Sequence, residues 1–397
     1  MATARALLVG MLLQGLGAAP PTQVGTWSGV LNALPNAQLI DTPLLGNGAL
    51  GVLLDAHDAA HASPPSSVGP GRDGALDIWL GSASMWSCRA CTTVAKGCCG
   101  AIAVGGVSID ASALGGVLAF AATQRIGNAT LGATWTTARG GVLTTLVFMH
   151  PSLAVVVTRI SWAPAVDDAA APVLNVSTWA VAASTQHGAP TPASVGCANA
   201  AGTAAVACSS GGALLATVSR RATAGDSPRP VWAGLATGVA SGTAGASAAA
   251  ALSPGEGAWG PTLLVAVTSS APVTLVTAEA EASSYDASSD PSLAAAALAA
   301  QFLDASGPTR VAAVASAWWS EYWSRSSVTI SAHPLLEALY AGAAYVLGCT
   351  SSTDANVPPP ALYGVWTTSD SANWNGDYTV RARPRPRVGG RTGHPPC

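Results

Sequence analysis

The sequence predicts a multidomain chain in which a large N-terminal antiparallel β-sandwich is followed by helices. Two observations carry this expectation. From residue 22 to 290 short β-branched and apolar runs alternate with Gly, Pro and Asn breaks, the pattern of a sandwich of many strands. Near residue 291 strand alternation gives way to Ala- and Leu-rich runs with three- and four-residue spacing, the period of helices.

The clearest strand pair is Gly141-Val142-Leu143-Thr144-Thr145-Leu146-Val147-Phe148 and Leu153-Ala154-Val155-Val156-Val157-Thr158-Arg159-Ile160-Ser161-Trp162. The short break at His150-Pro151 between them predicts a hairpin. Further strands are expected at 101–109, 116–123, 130–137, 172–181, 213–218, 262–268 and 273–277. Segments 182–212 and 238–257 are rich in Ala, Gly and Ser and read as long loops or insertions. After 291, one helical run reaches Asp304 and a second spans 308–325, with Pro308 suited to a first turn. Val311, Val314, Trp318, Trp319, Tyr322 and Trp323 fall mostly on one helical face and read as core packing. Ser327-Val328-Thr329-Ile330 is a β-rich strip. A third helix is expected over 334–349, with Leu335, Leu336, Leu339, Tyr340, Ala343 and Val346 as its apolar stripe.

Composition narrows the class. The chain has 397 residues, of which 9% are charged, with a net charge of −3, against roughly 25% charged in ordinary soluble domains. That balance gives no general attraction to nucleic acid. Mean hydropathy is +0.38, but Ala supplies most of it, and no internal run is long and apolar enough to predict a membrane span. Residues 1–19 are different. Arg5, the apolar run from Ala6 to Leu13, and small residues at Gly17, Ala18 and Ala19 form the pattern of a secretory signal peptide. Export to an extracellular or endomembrane compartment is therefore expected. Asn128-Ala129-Thr130 and Asn175-Val176-Ser177 are glycosylation sequons that agree with it. In an oxidising compartment Cys88, Cys91, Cys98 and Cys99 would form local disulfides, as would Cys197 and Cys208. Cys88-Arg89-Ala90-Cys91 also has zinc-ligand spacing, but the adjacent Cys98 and Cys99 rarely both reach one tetrahedral ion, so disulfides are expected and no metal.

Three segments stand out beyond composition. Pro43-Leu44-Leu45-Gly46-Asn47-Gly48-Ala49-Leu50-Gly51-Val52 places three glycines around an Asn, which calls for tight turns and close backbone approach; it lacks the ending of a phosphate loop. Leu76-Asp77-Ile78-Trp79-Leu80-Gly81, continuing to Met85-Trp86-Ser87-Cys88, is the second. The third is Leu362-Tyr363-Gly364-Val365-Trp366-Thr367-Thr368 followed by Trp374-Asn375-Gly376-Asp377-Tyr378-Thr379. Aromatic faces stack on sugar C–H surfaces while amides and carboxylates bond hydroxyls. Trp366, Trp374, Asn375 and Asp377 are therefore the candidate carbohydrate-binding residues. No candidate catalytic residue is assigned. Residues 380–397 mix Arg, Pro and Gly without apolar periodicity and read as a disordered tail.

The order of these motifs, with Trp318-Trp319-Ser320-Glu321-Tyr322-Trp323 between them, resembles glycoside hydrolase family 95, the α-L-fucosidase-like enzymes of the six-hairpin glycosidase superfamily. The resemblance covers about residues 25 to 379. It implies a β-sandwich over 22–290, a helical linker over 291–326 and the start of an (α/α)6 barrel over 327–379. It also implies inverting acid/base hydrolysis of a glycosidic bond, with no cofactor. The family's Asn residues that assist the base would follow Thr379, where this chain has Val380-Arg381-Ala382-Arg383. Its acid Glu and base Asp would come from later barrel segments. The chain is accordingly expected to be truncated and inactive. The alternative is a noncatalytic carbohydrate-binding or cell-surface sandwich. Oligomeric state is not legible.

Overall fold

The structure, a computed structural model, describes residues 20–28, 41–56, 75–88, 99–110, 114, 117–138, 140–165, 172–180, 191–195, 197–198, 204–205, 208–210, 213–221, 232–241, 262–267, 272–282, 289–352, 354, 356–360 and 362–368. The chain opens with β1 (Val24–Ser28), β2 (Leu44–Gly46), β3 (Leu50–Ala56), β4 (Ala75–Ser82), β5 (Trp86–Cys88), β6 (Cys99–Ala101) and β7 (Gly105–Asp110). It continues with β8 (Val117–Arg125), β9 (Thr130–Thr137), β10 (Val142–Met149), β11 (Val155–Ala163) and β12 (Val173–Ala180). Short strands β13 (Thr191–Val195), β14 (Cys197–Ala198), β15 (Ala204–Ala205) and β16 (Cys208–Ser210) precede β17 (Ala213–Arg221), β18 (Trp232–Val239), β19 (Thr262–Ala266) and β20 (Val273–Ala282). Helices α1 (Pro291–Ala300), α2 (Gly307–Ser326) and α3 (Pro334–Thr350) follow.

Two antiparallel sheets build the sandwich. The larger runs β1-β8-β9-β10-β11-β20-β18-β17-β13, with β16 also on β17; the smaller runs β19-β12-β7-β4-β3-β2. Strand alternation sorts the faces. In β4, Leu76, Ile78, Leu80 and Ser82 share one face. Ser82 Oγ donates to the Glu281 carboxylate of the larger sheet, so this face looks across the sandwich. Asp77, Trp79 and Gly81 take the outer face.

The larger sheet is covered on its outer side by α1. Asp290 caps this helix by accepting from Ser292 N at 2.9 Å, and Pro291 occupies its first turn. Ala295, Ala296 and Ala299 pack with Leu215, Ala236, Val276 and Ala278. Small side chains on both elements allow this close approach. Helix α2 buries Trp319 and Trp323 in the main core, and Trp323 Nε1 donates to Ile126 O at 3.2 Å. Tyr322 OH donates to Ala344 O at 2.5 Å and ties α2 to α3.

The sandwich, the 142–149/155–163 hairpin and the packing role of the α2 aromatics agree with the sequence, and several details differ from it. Val314 points outward. The 291–304 run stops as a helix at Ala300. Segment 182–212 carries β13 to β16 instead of loop alone, because the edge of β17 offers unpaired backbone for β13 and β16 to join. Residues 327–330 form no strand. Their backbone is taken up by helix ends instead: Ser327 N donates to Trp323 O at 3.0 Å and Ile330 N to Glu337 Oε2 at 2.7 Å. Among the described residues the three helices each pack on the sandwich, and no barrel is formed by them. The signal segment 1–19 and the tail 380–397 lie outside the described residues.

Helix α3 sits opposite to its apparent stripe. Its buried residues are Ala341, Tyr345, Gly348 and Cys349, while Leu335 is 74% exposed and Leu339 63% exposed. Leu336, Tyr340, Val346 and Leu347 are exposed beside them. An apolar face of this kind promotes association. Leu335→Glu combined with Leu339→Glu is expected to raise the monomeric fraction in size-exclusion chromatography while leaving the melting temperature within a few degrees.

Candidate functional site

The first and third sequence motifs meet, although some 300 residues separate them in the chain. Asn47 turns β2 into β3. Its Oδ1 accepts from Ala49 N at 3.1 Å and Leu50 N at 2.8 Å, and its Nδ2 donates to His150 O and Leu153 O, both at 3.0 Å. One buried amide thus holds its own turn and joins it to the β10–β11 turn. Burial lowers the pKa of His150. Its Nδ1 accepts from Leu153 N at 3.0 Å, which suits a neutral ring.

Helix α3 and the segment after it close over β2, β3 and β4. Tyr345 OH donates to Leu44 O at 2.8 Å, Gly48 N donates to Cys349 O at 2.8 Å, and Trp366 Nε1 donates to Leu45 O at 2.5 Å. Register explains why glycine occupies this surface. Gly46 pairs with Gly51, and Gly51 pairs with Gly81, so a row without Cβ atoms crosses three strands. A Cβ on Gly51 or Gly81 would stand 2.4 Å from Val365 O, and one on Gly46 would stand 2.4 Å from Cys349 O. Gly48, with φ +86°, lies outside the row but is equally fixed, since a Cβ there would stand 2.4 Å from Ser352 N. The glycines of the first motif are therefore the bed on which α3 and residues 363–368 lie.

Beyond this bed, the outer face of the smaller sheet holds a buried polar row. Asp55, Asp77, Ser108 and Ser177 are register partners in succession across β3, β4, β7 and β12, and Ser108 Oγ donates to Asp77. In the next row Trp79 and Trp179 meet over Gly106, with centroids 4.7 Å apart in a T-shaped arrangement. Both indoles are buried, so they pack on each other. The alternation Asp77, Trp79, Gly81 was visible in the second motif, but the cross-strand rows were not.

Glu279 projects from β20 between the sheets, and Glu281, two residues on, is exposed at the strand's end. Glu279 is 6% exposed, and its pKa is raised well above the usual carboxylate range, mainly by burial and then by the nearby Glu281 charge. Its Oε1 has no hydrogen-bond partner among the described residues, which fits a protonated acid. The folded state keeps this proton at pH values where the unfolded chain has released it. Stability therefore falls as pH rises above the ordinary glutamate range, until the folded group itself ionises. Glu279→Gln is expected to flatten this slope, seen as a smaller loss of urea midpoint between about pH 5 and about pH 8.

The candidate residues are placed as follows. Trp366 is 7% exposed and anchored to β2, so it holds the loop on the sheet. Trp374, Asn375 and Asp377 lie outside the described residues, as do Cys91 and Cys98. Asn128 is exposed in the β8–β9 turn and accepts from Thr130 Oγ1 at 2.9 Å. Asn175 is half-buried within β12 between Asp110 and Leu264. Cys88, Cys99, Cys197 and Cys208 are described by their backbone alone. Cys349 is a buried free thiol, pushed up to about 12 chiefly by burial. Also among the described residues, no group of His, Cys, Asp and Glu is arranged to hold a metal, and no helix is long and apolar enough to cross a membrane.

No protein-family model matches the chain, and no curated protein matches it in sequence. Among solved structures it is similar to a protein described as a kojibiose phosphorylase from the human microbiome, at 10% identity and TM-score 0.45, over 77% of this chain and 38% of that one. It is also similar to a bacterial glucoamylase complexed with acarbose, at 9% identity and TM-score 0.39, over 89% of this chain and 49% of that one. The chain thus spans less than half the length of either. Likeness this slight assigns neither fold nor activity.

Proposed function

We propose that this chain is the sandwich portion of a secreted, α-L-fucosidase-like glycoside hydrolase, and that it binds a carbohydrate without cleaving it. The supporting observation is the docking of residues 363–368 on Gly51 and Gly81, beside Cys349 of α3 on Gly46. The two motifs that carry the family resemblance form one packed unit, from which the chain runs on to Trp374, Asn375 and Asp377. On this reading Trp366 fixes the loop, Trp374 stacks on a sugar ring, and Asn375 and Asp377 bond its hydroxyls.

Inverting hydrolysis needs a proton donor and a water-activating carboxylate on opposite sides of the bond. Asp55, Asp77 and Glu279 are buried, and Glu281 is engaged with Ser82. The three buried groups are closed to a glycosidic oxygen, while Glu281 is exposed at the end of β20. In the family that the chain resembles, the acid and base come from barrel segments, not from the sandwich.

Ligand-observed NMR with methyl glycosides, methyl α-L-fucoside among them, tests the binding role. Saturation transfer to one sugar, lost in Trp374→Ala, is expected; no transfer to any sugar tested would refute it. Secretion predicts a glycan at Asn128. Expression in a eukaryotic secretory host should give a glycosidase-sensitive mass shift that Asn128→Gln removes.

A further inference from the structure

We infer that Cys88 and Cys99 form a disulfide across the β5–β6 ladder, leaving Cys91 and Cys98 outside that bond. Four cysteines in this stretch allow three complete pairings, and spacing alone does not choose among them. Backbone register does. Trp86 faces Ala101, Ser87 faces Gly100, and Cys88 faces Cys99. Ile102 N donates to Met85 O at 2.9 Å, which marks the Met85 and Ile102 position as hydrogen-bonded. Hydrogen-bonded and non-bonded positions alternate along an antiparallel ladder. Counting inward, Trp86 with Ala101 is non-bonded, Ser87 with Gly100 is bonded, and Cys88 with Cys99 is non-bonded. At a non-bonded position the Cα atoms approach to about 4.5 Å, inside the range of about 4.4–6.8 Å that a disulfide spans.

The same register disfavours Cys88 with Cys91. Those two residues are three apart along one chain, and Cys88 already stands opposite Cys99. The ladder leaves β4 next to Ser82 and the 82–85 turn, where Ala83 N donates to Ala49 O at 2.8 Å. A bond at Cys88 and Cys99 would therefore close the hairpin beside the turn that holds the candidate site. Its formation needs an oxidant of the disulfide class, such as oxidised glutathione. The two thiols give up two protons and two electrons, an S–S bond forms between them, and the oxidant's S–S bond becomes two thiols.

Tryptic mapping of the full chain under non-reducing conditions, after equilibration with oxidised and reduced glutathione, tests this. Cleavage after Arg72, Arg89, Lys96 and Arg125 separates Cys88 (73–89) from Cys91 (90–96) and from Cys98 and Cys99 (97–125). The expected result is 73–89 linked to 97–125, with the link kept in Cys98→Ser and lost in Cys99→Ser. A link between 73–89 and 90–96 would overturn the inference. So would alkylation of Cys88 in the oxidised protein, or loss of the link in Cys98→Ser with retention in Cys99→Ser.

Discussion

Gly81→Val is expected to destabilise the chain by about 3 kcal/mol, the upper end for forcing extra carbon into a packed site, and to free residues 363–368 from the sheet. The cause is backbone against backbone. A Cβ at Gly81 would stand 2.4 Å from Val365 O and 2.8 Å from Thr367 N, and neither atom can rotate away as a side-chain tip would. Gly51→Val should act alike, since its Cβ would meet the same Val365 O at 2.4 Å and Trp366 Cδ1 at 2.7 Å. Because either substitution alone lifts the same segment, the pair should cost less than the sum of the two. Urea unfolding of both single variants and the double variant gives these values. Hydrogen exchange at Val365 and Thr367 should show the segment released in each. Additive costs with unchanged exchange would mean that the glycines serve the strands and not the docked loop.

Asn47→Ala should cost about 3 kcal/mol, because the buried Leu50 amide, the half-buried Ala49 amide and two part-buried carbonyls all lose a partner at once. Asn47→Asp separates the two halves of the effect. A carboxylate keeps the bonds from Ala49 N and Leu50 N, but it sets a charged oxygen against His150 O and Leu153 O. Asn47→Asp should therefore be at least as unstable as Asn47→Ala at neutral pH and recover part of the loss in acid, where the carboxyl protonates. Melting curves at the two pH values decide it.

The strands legible in the sequence are those with one polar and one apolar face, such as β9 and β10. β3 and β18 were harder to read. Both are buried on both sides, so their runs show no alternation, and glycines interrupt them where a helix or loop lies close. Gly234 and Gly238 in β18 look like breaks in the sequence, yet they are the contacts for Ser292 of α1 and Leu303 just beyond it. The direction of α3 was misleading for a related reason. Its large residues Leu335, Leu336 and Leu339 form the more obvious stripe, but a glycine-paved sheet accepts the small face of Ala341, Gly348 and Cys349 with one aromatic, Tyr345. The Asn47 turn was recognisable as a turn. Its partner segment was not, because nothing local in 43–52 points to residues some 300 positions later.

A chain that holds a sugar without breaking its bond, as proposed, releases nothing from a glycoside that it binds. The most direct measurement is release of aryl alcohol from a panel of aryl glycosides, the aryl α-L-fucoside included, by the purified 397-residue protein. No release above the buffer rate is expected for any sugar that binds. Sustained release that disappears in Asp377→Asn would contradict it.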